Sequence, residues 1–232
     1  MSNLTVRILV ALVAIPLIVV LSMSGGLYFF GMIAFISSLG LYEYYKLAQA
    51  KGASPQVAVG LVLGFLITCG FVWEKLRLAL VSFVPAIEHA LPVPTMPELF
   101  LLLFLFFVPL IMLIELFRNT GSAVINTATT IMGVCYVSLF LGSLVGLREA
   151  FTPGNLLAGE YFDVRGVDVH ATVDGWGGAT IITVFASLWM CDSLAYFAGR
   201  FLGKHKLFER VSPKKTWEGA CAGYVGAVAA FL

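Results

Sequence analysis

Between Asp192 and Gly219 the chain reads DSLAYFAGRFLGKHKLFERVSPKKTWEG, with six lysines and arginines and several small residues between two apolar stretches. Cations at that density beside glycines suit phosphate. Lysines are mobile point charges for a polyphosphate, whereas Arg200 and Arg210 can each grip two oxygens at once. Asp192, Tyr196, Gly199 and Gly203 follow one another at intervals of four, three and four residues. That spacing puts an acid, a hydroxyl and two places of close backbone approach on one helix face. The bland alternative for Asp192 is an ion pair with Arg200 or a lysine, but a carboxylate at membrane depth usually marks a site. Gly199 and Gly203 also fit the small-xxx-small pattern of helix packing, so packing and ligand approach both stay open there.

Farther along, Ser212-Pro213 favours a turn, and Ser212 through Glu218 is expected to open a helix with Ser212 or Thr216 as its cap. Such a helix start would aim backbone N–H groups at an anion. Gly199 to Lys204 superficially resembles a P-loop. It is one residue short, continues with His205 where Ser or Thr is required, and follows no strand, so that reading fails. A basic loop that merely touches anionic lipid explains the sign of the charge but not the order Ser-Pro-Lys-Lys-Thr.

The elements that must position these groups are membrane helices. Of 232 residues 60% are hydrophobic and 12% charged, and the mean hydropathy is +0.97, too little polar surface for a soluble globule. Six runs, 8–23, 27–41, 57–73, 99–117, 131–147 and 177–198, are almost entirely uncharged, and a seventh begins near Ala220. At about 1.5 Å per residue they approach the roughly 30 Å of a hydrocarbon core, the first two being short. The expected fold is all-α: a polytopic integral membrane helical bundle, six transmembrane helices plus the start of a seventh. It forms a single integral membrane domain, 1–232, and strands are not expected because the runs are continuous, not alternating. The segment Glu74 to Glu98, with Pro85, Pro92, Pro94 and Pro97, reads as an irregular outer connector.

Charge orients this bundle. With the N-terminus in the cytoplasm, the inner loops hold Arg7, Lys46, Lys51, Arg118, Arg200, Lys204, Lys206, Arg210, Lys214 and Lys215, and the outer loops only Lys75, Arg77, Arg148 and Arg165. That asymmetry follows the positive-inside rule. It makes 199–219 a cytoplasmic basic substrate loop and places 148–176 outside. Ser22-Met23-Ser24 offers a small-residue cleavage site after the first run, but a second apolar run follows at once and favours a retained helix. Cys69, Cys135, Cys191 and Cys221 form no CxxC pair and read as small buried hydrophobes, and His89, His170 and His205 are too scattered for a metal cluster. The aromatics Tyr28-Phe29-Phe30 and Tyr42-Tyr44-Tyr45 suit a membrane interface.

Taken together, Asp192-Ser193-x-Ala195-Tyr196, Gly199-Arg200, Gly203-Lys204-His205-Lys206-Leu207 and Ser212-Pro213-Lys214-Lys215-Thr216-x-Glu218-Gly219 resemble the phosphatidate cytidylyltransferases, or CDP-diacylglycerol synthases. Weaker likeness lies in Glu43-Tyr44-Tyr45 with Lys51-Gly52, and in Gly133-x-x-Tyr136 leading to Leu147-Arg148. The resemblance implies transfer of a cytidylyl group from CTP to phosphatidic acid with Mg2+. It implies catalytic roles for Asp192, Lys204 and Lys214, and substrate binding by Tyr196, Arg200, Lys204, His205, Lys206, Ser212, Lys214, Lys215 and Thr216. Asp192 is the metal-ligand candidate. The partners implied are the two substrates, the bilayer of the inner (plasma) membrane and a second copy in a homodimer, with no nucleic acid. The family's second signature, which contains a Pro-Gly-His-Gly-Gly stretch and a closing Asp-Arg-x-Asp, is absent from these residues, so the chain reads as an N-terminal fragment without its main metal carboxylates. Two other classes fit the same cations: a CTP-dependent lipid or polyprenol kinase, and a membrane transporter for an anionic solute, which the lack of paired broken-helix repeats disfavours.

Overall fold

An apolar run in lipid can satisfy its backbone only by bonding to itself, and helices account for nearly all of the structure. The computed structural model describes residues 3–83, 94–151, 169–208 and 212–231. In chain order these form α1 (Asn3–Ser24), α2 (Gly26–Ala50), α3 (Val57–Gly70), α4 (Trp73–Phe83), α5 (Met96–Phe117) and α6 (Ala123–Gly133). A six-residue π-helical segment (Val134–Leu139) joins α6 to α7 (Phe140–Glu149). Then come α8 (Val169–Phe201), β1 (Lys206–Phe208), β2 (Ser212–Thr216) and α9 (Trp217–Phe231).

Among the described residues four stretches are long and apolar enough to cross a membrane, namely Gly26–Ala50, Met96–Phe117, Ala123–Glu149 and Asp174–Phe201. Helices α3 and α4 qualify only as a pair bent by 78°, which makes a possible fifth. The membrane-type helical fold is as expected, and the described residues do not confirm the count of six plus one. The apolar part of α1, Ala11–Ser24, is short, α9 has 15 residues, and the run 57–73 breaks after Gly70. Two further expectations are corrected. Trp73–Phe83 is helical instead of irregular, while Pro85 and Pro92 lie outside the described residues. The all-α class fits, but where no strand and a helix opening at Ser212 were expected there is a short antiparallel hairpin in which Lys206 pairs with Thr216 and Phe208 with Ser212. Pro213 disfavours helical geometry at Ser212, so Ser212–Thr216 extends and only then does α9 begin.

The described residues divide into two compact units. One comprises residues 24–161 and has its core around Leu41, Tyr45, Leu63, Ile67, Phe107, Ile111 and Val134. Tyr45 is fully buried, not interfacial, and its hydroxyl donates to the Thr130 carbonyl at 2.8 Å. A Cβ at Gly60 would sit 2.0 Å from the Tyr45 hydroxyl and one at Gly133 2.7 Å from its ring, so those two glycines make the slot that the ring fills. Tyr42, by contrast, is exposed with Lys46 Nζ 4.6 Å above its ring. At one end of this unit Glu115, 3% exposed, accepts hydrogen bonds from Asn126 Nδ2 (2.6 Å), Gln56 Nε2 (3.0 Å) and Arg118 Nη1 (3.0 Å).

The second unit joins residues 1–23 to 162–232. Its centre is the pairing of α8 with α9, which glycines allow to close. A Cβ at Gly223 would come within 2.9 Å of the Cys191 carbonyl, and one at Gly226 within 2.4 Å of the Leu194 side chain. Backbones this close are the usual product of small residues on apolar helices.

Candidate active site

The spacing of Asp192, Tyr196, Gly199 and Arg200 within one helix, α8, sets all four on a common wall. Here they line a cavity of about 780 Å³, within the range typical of small-molecule sites. Strand β2 forms the facing wall with Ser212, Lys214, Lys215 and Thr216, and the first turns of α9 add Gly219, Ala220 and Gly223. Cys191, Ala195 and Leu207 complete the lining and give it an apolar side. Among the described residues one carboxylate, three cations and two hydroxyl-bearing strand residues therefore face a single space that is greasy along part of its wall.

Each position has a local cause. Arg200 lies one turn beyond Tyr196, and its Nη1 donates to the phenol oxygen at 2.8 Å, holding the guanidinium over the helix end. Thr216 caps α9 as expected: its hydroxyl accepts the Gly219 N–H at 3.3 Å. Its side chain, 7% exposed, fills a notch on α8, where a Cβ at Gly199 would lie 3.2 Å from the Thr216 hydroxyl and one at Gly203 2.7 Å from its methyl. Gly199 and Gly203 therefore serve packing, and Gly199 serves the cavity wall as well. Asp192, Lys214 and Lys215 are exposed, and among the described residues nothing is hydrogen-bonded or ion-paired to them.

Of the residues singled out from sequence, Asp192, Tyr196, Arg200, Ser212, Lys214, Lys215 and Thr216 come together around this cavity. Lys204, His205 and Lys206 do not line it, and Arg210 lies outside the described residues. His205 instead turns to Glu218, with Nδ1 at 2.7 Å from Oε1 and its backbone N–H 3.2 and 3.3 Å from the two carboxylate oxygens. Hydrogen bonds from its own backbone N–H, then from the His205 ring, then from the backbone at His205 and Lys204, pull the Glu218 carboxyl down from 4.5 to about 2. In the sequence Glu218 stands out only as part of a motif; a carboxylate two residues past Thr216 and a histidine immediately before the paired strand were the available signal. Cys191, Ala195, Ala220 and Gly223 were also missed as lining, although small residues every three or four positions in both helices announce a close pair.

Among the described residues no three His, Cys, Asp or Glu side chains gather as a metal cluster. Asp192 is the one carboxylate on the cavity wall among the described residues. Mg2+ commonly binds through one or two carboxylates and completes its shell with water and substrate phosphate, so a single aspartate facing three cations fits a metal that arrives with a polyphosphate.

The model of the family described as cytidylyltransferase matches residues 5–232. A protein of Synechocystis named phosphatidate cytidylyltransferase is 27% identical over 228 residues, covering 97% of this chain and 70% of that protein. Proteins of the same name are 51% identical over 57 residues in Brucella abortus and 46% over 65 residues in Haemophilus influenzae. Those two matches span 25% and 27% of this chain and only 21% and 23% of the relatives. No solved structure matches the chain.

Proposed function

The chain belongs to the cytidylyltransferase family, and on that premise we propose that it transfers the cytidylyl group of CTP to phosphatidic acid, releasing pyrophosphate and forming CDP-diacylglycerol. A phosphatidate oxygen attacks the α-phosphorus of CTP, a P–O bond forms, and the bond from the α-phosphorus to the bridging oxygen breaks to release pyrophosphate. Both reactants are polyanions, so the barrier is dominated by charge repulsion and by alignment.

One observation carries the reading: a single cavity brings Asp192, Arg200, Lys214 and Lys215 together with apolar lining from Cys191, Ala195 and Leu207. The cations suit the phosphates of both reactants, and the apolar wall suits the root of an acyl chain. Arg200, steadied by Tyr196, offers two parallel N–H groups to one phosphate. Lys214 and Lys215 follow the moving charge as pyrophosphate departs. Asp192 is the residue that would hold Mg2+ on substrate oxygens, where the ion would offset negative charge. The cytoplasmic orientation of 199–219, which the basic asymmetry favours, brings CTP from water to a headgroup whose tails stay in lipid.

The test uses the full-length protein in liposomes of phosphatidic acid with Mg2+ and CTP labelled either at the α- or at the γ-phosphate. Lipid-linked α-label with release of γ-label as pyrophosphate is expected. Transfer of γ-label to a lipid alcohol would replace this reading with a kinase, and solute flux without nucleotide turnover would replace it with a transporter.

A further inference from the structure

We propose that Glu218 is a positioning residue that fastens the Lys214–Lys215 strand through His205, and that its carboxylate does not bind metal. The proposal rests on the cytidylyl-transfer reading and deepens it.

Strand β2 is held at its C-terminal end by two fasteners on opposite sides. Toward α8, the buried Thr216 side chain fills the notch left by Gly199 and Gly203. Toward the loop before β1, the His205 peptide is tied at both ends to the start of α9. Its N–H donates to the Glu218 carboxylate at 3.2 Å, and its carbonyl accepts the Trp217 N–H at 3.0 Å. The ring adds a third contact, Nδ1 to Oε1 at 2.7 Å. Lys206 then pairs with Thr216, so the register of the hairpin follows from where His205 is tied.

Two consequences bear on chemistry. Lys215 and Lys214 lie two and three residues before Trp217, the nearer end of this tie, and long lysine side chains give up less freedom on meeting a phosphate when their backbone is already fixed. The carboxylate is also occupied: His205 contacts the one negative charge of the SPKKTWEG motif, and among the described residues Asp192 is the acid left on the cavity wall. Loss of the tie should weaken binding of ground state and transition state alike, which raises KM and spares kcat.

The experiment compares Glu218→Ala, Glu218→Gln and His205→Ala with the parent in the liposome assay, together with hydrogen exchange across 203–217. Glutamine keeps an oxygen that can accept the His205 N–H. The expected results are a KM for CTP raised about tenfold in Glu218→Ala and His205→Ala, kcat within about twofold, and near-parental kinetics in Glu218→Gln. The His205 and Trp217 amides should exchange faster in Glu218→Ala alone or together with His205→Ala, and slowly in Glu218→Gln. A collapse of kcat in both Glu218 variants that added Mg2+ reverses would make Glu218 a metal ligand and overturn the proposal. Unchanged KM and unchanged exchange in Glu218→Ala would overturn it as well. If the parent forms no lipid-linked product, the functional reading falls, and the exchange comparison still decides whether the tie exists.

Discussion

Glu115 and Asp192 are both carboxylates near the end of a long apolar helix, and they are treated in opposite ways. Glu115 is buried and fully engaged, with Asn126, Gln56 and Arg118 donating to it from three different segments. Asp192 is exposed on a cavity wall, and among the described residues no donor meets it. A buried carboxylate without donors would be expensive, so Glu115 had to be satisfied by the protein itself. Asp192 stays in contact with water and can keep its lone pairs for a ligand. The same side-chain chemistry is therefore structural where the chain closes around it and available where the chain leaves it open.

The contrast predicts that Asp192→Asn removes activity and Glu115→Ala removes stability. For Asp192→Asn, turnover should fall about a thousandfold, some 4 kcal/mol of transition-state stabilisation, with the melting temperature unchanged. Lipid-linked label from α-labelled CTP measures the first and a thermal aggregation assay in detergent the second. Activity within tenfold of the parent would break the distinction. For Glu115→Ala, the buried Gln56 and Asn126 and the half-buried Arg118 lose an acceptor, and the protein should lose roughly 3 kcal/mol of stability while folded molecules keep their kcat. Denaturant titration followed by tryptophan fluorescence checks the stability loss, and an unchanged midpoint would show that the Glu115 network does not matter.

Replacing Lys214 and Lys215 together by alanine should raise the KM for CTP about thirtyfold, near 2 kcal/mol, and flatten its dependence on salt. Kinetics at low and at high ionic strength would reveal it; parental values at both would move phosphate binding elsewhere. The smallest effect is expected of Tyr45→Phe, which loses only the bond to the Thr130 carbonyl. About 1 kcal/mol of stability and no activity should be lost, a difference that the same denaturant titration resolves.

Much of the candidate site could be read from the residues because a single helix carries half of it. The intervals from Asp192 to Arg200 determine a shared face whatever the helix packs against. Lys214, Lys215 and Thr216 were legible as phosphate chemistry but not as a strand, since the pairing of Lys206 with Thr216 depends on contacts across the hairpin that no local pattern encodes. His205 looked like a substrate ligand for its basic neighbours, yet Glu218, thirteen residues on, captures it. Tyr45 passed for an interfacial ring because the room it fills is made by Gly60 and Gly133, distant in sequence. The helical class followed from hydropathy alone, whereas the bend after Gly70 and the π-helical segment from Val134 to Leu139 leave no mark in a continuous apolar run.

The slot around Tyr45 also constrains the order in which this protein can change. Because a Cβ at Gly60 would lie 2.0 Å from the Tyr45 hydroxyl, a methyl group added there first meets a ring with nowhere to go. If the tyrosine shrinks first, it opens a void that an alanine at position 60 or 133 can then partly refill. The three positions form one epistatic unit in which the aromatic ring must yield before either glycine, so lineages descending from this chain should carry a smaller residue at position 45 wherever either glycine has been replaced.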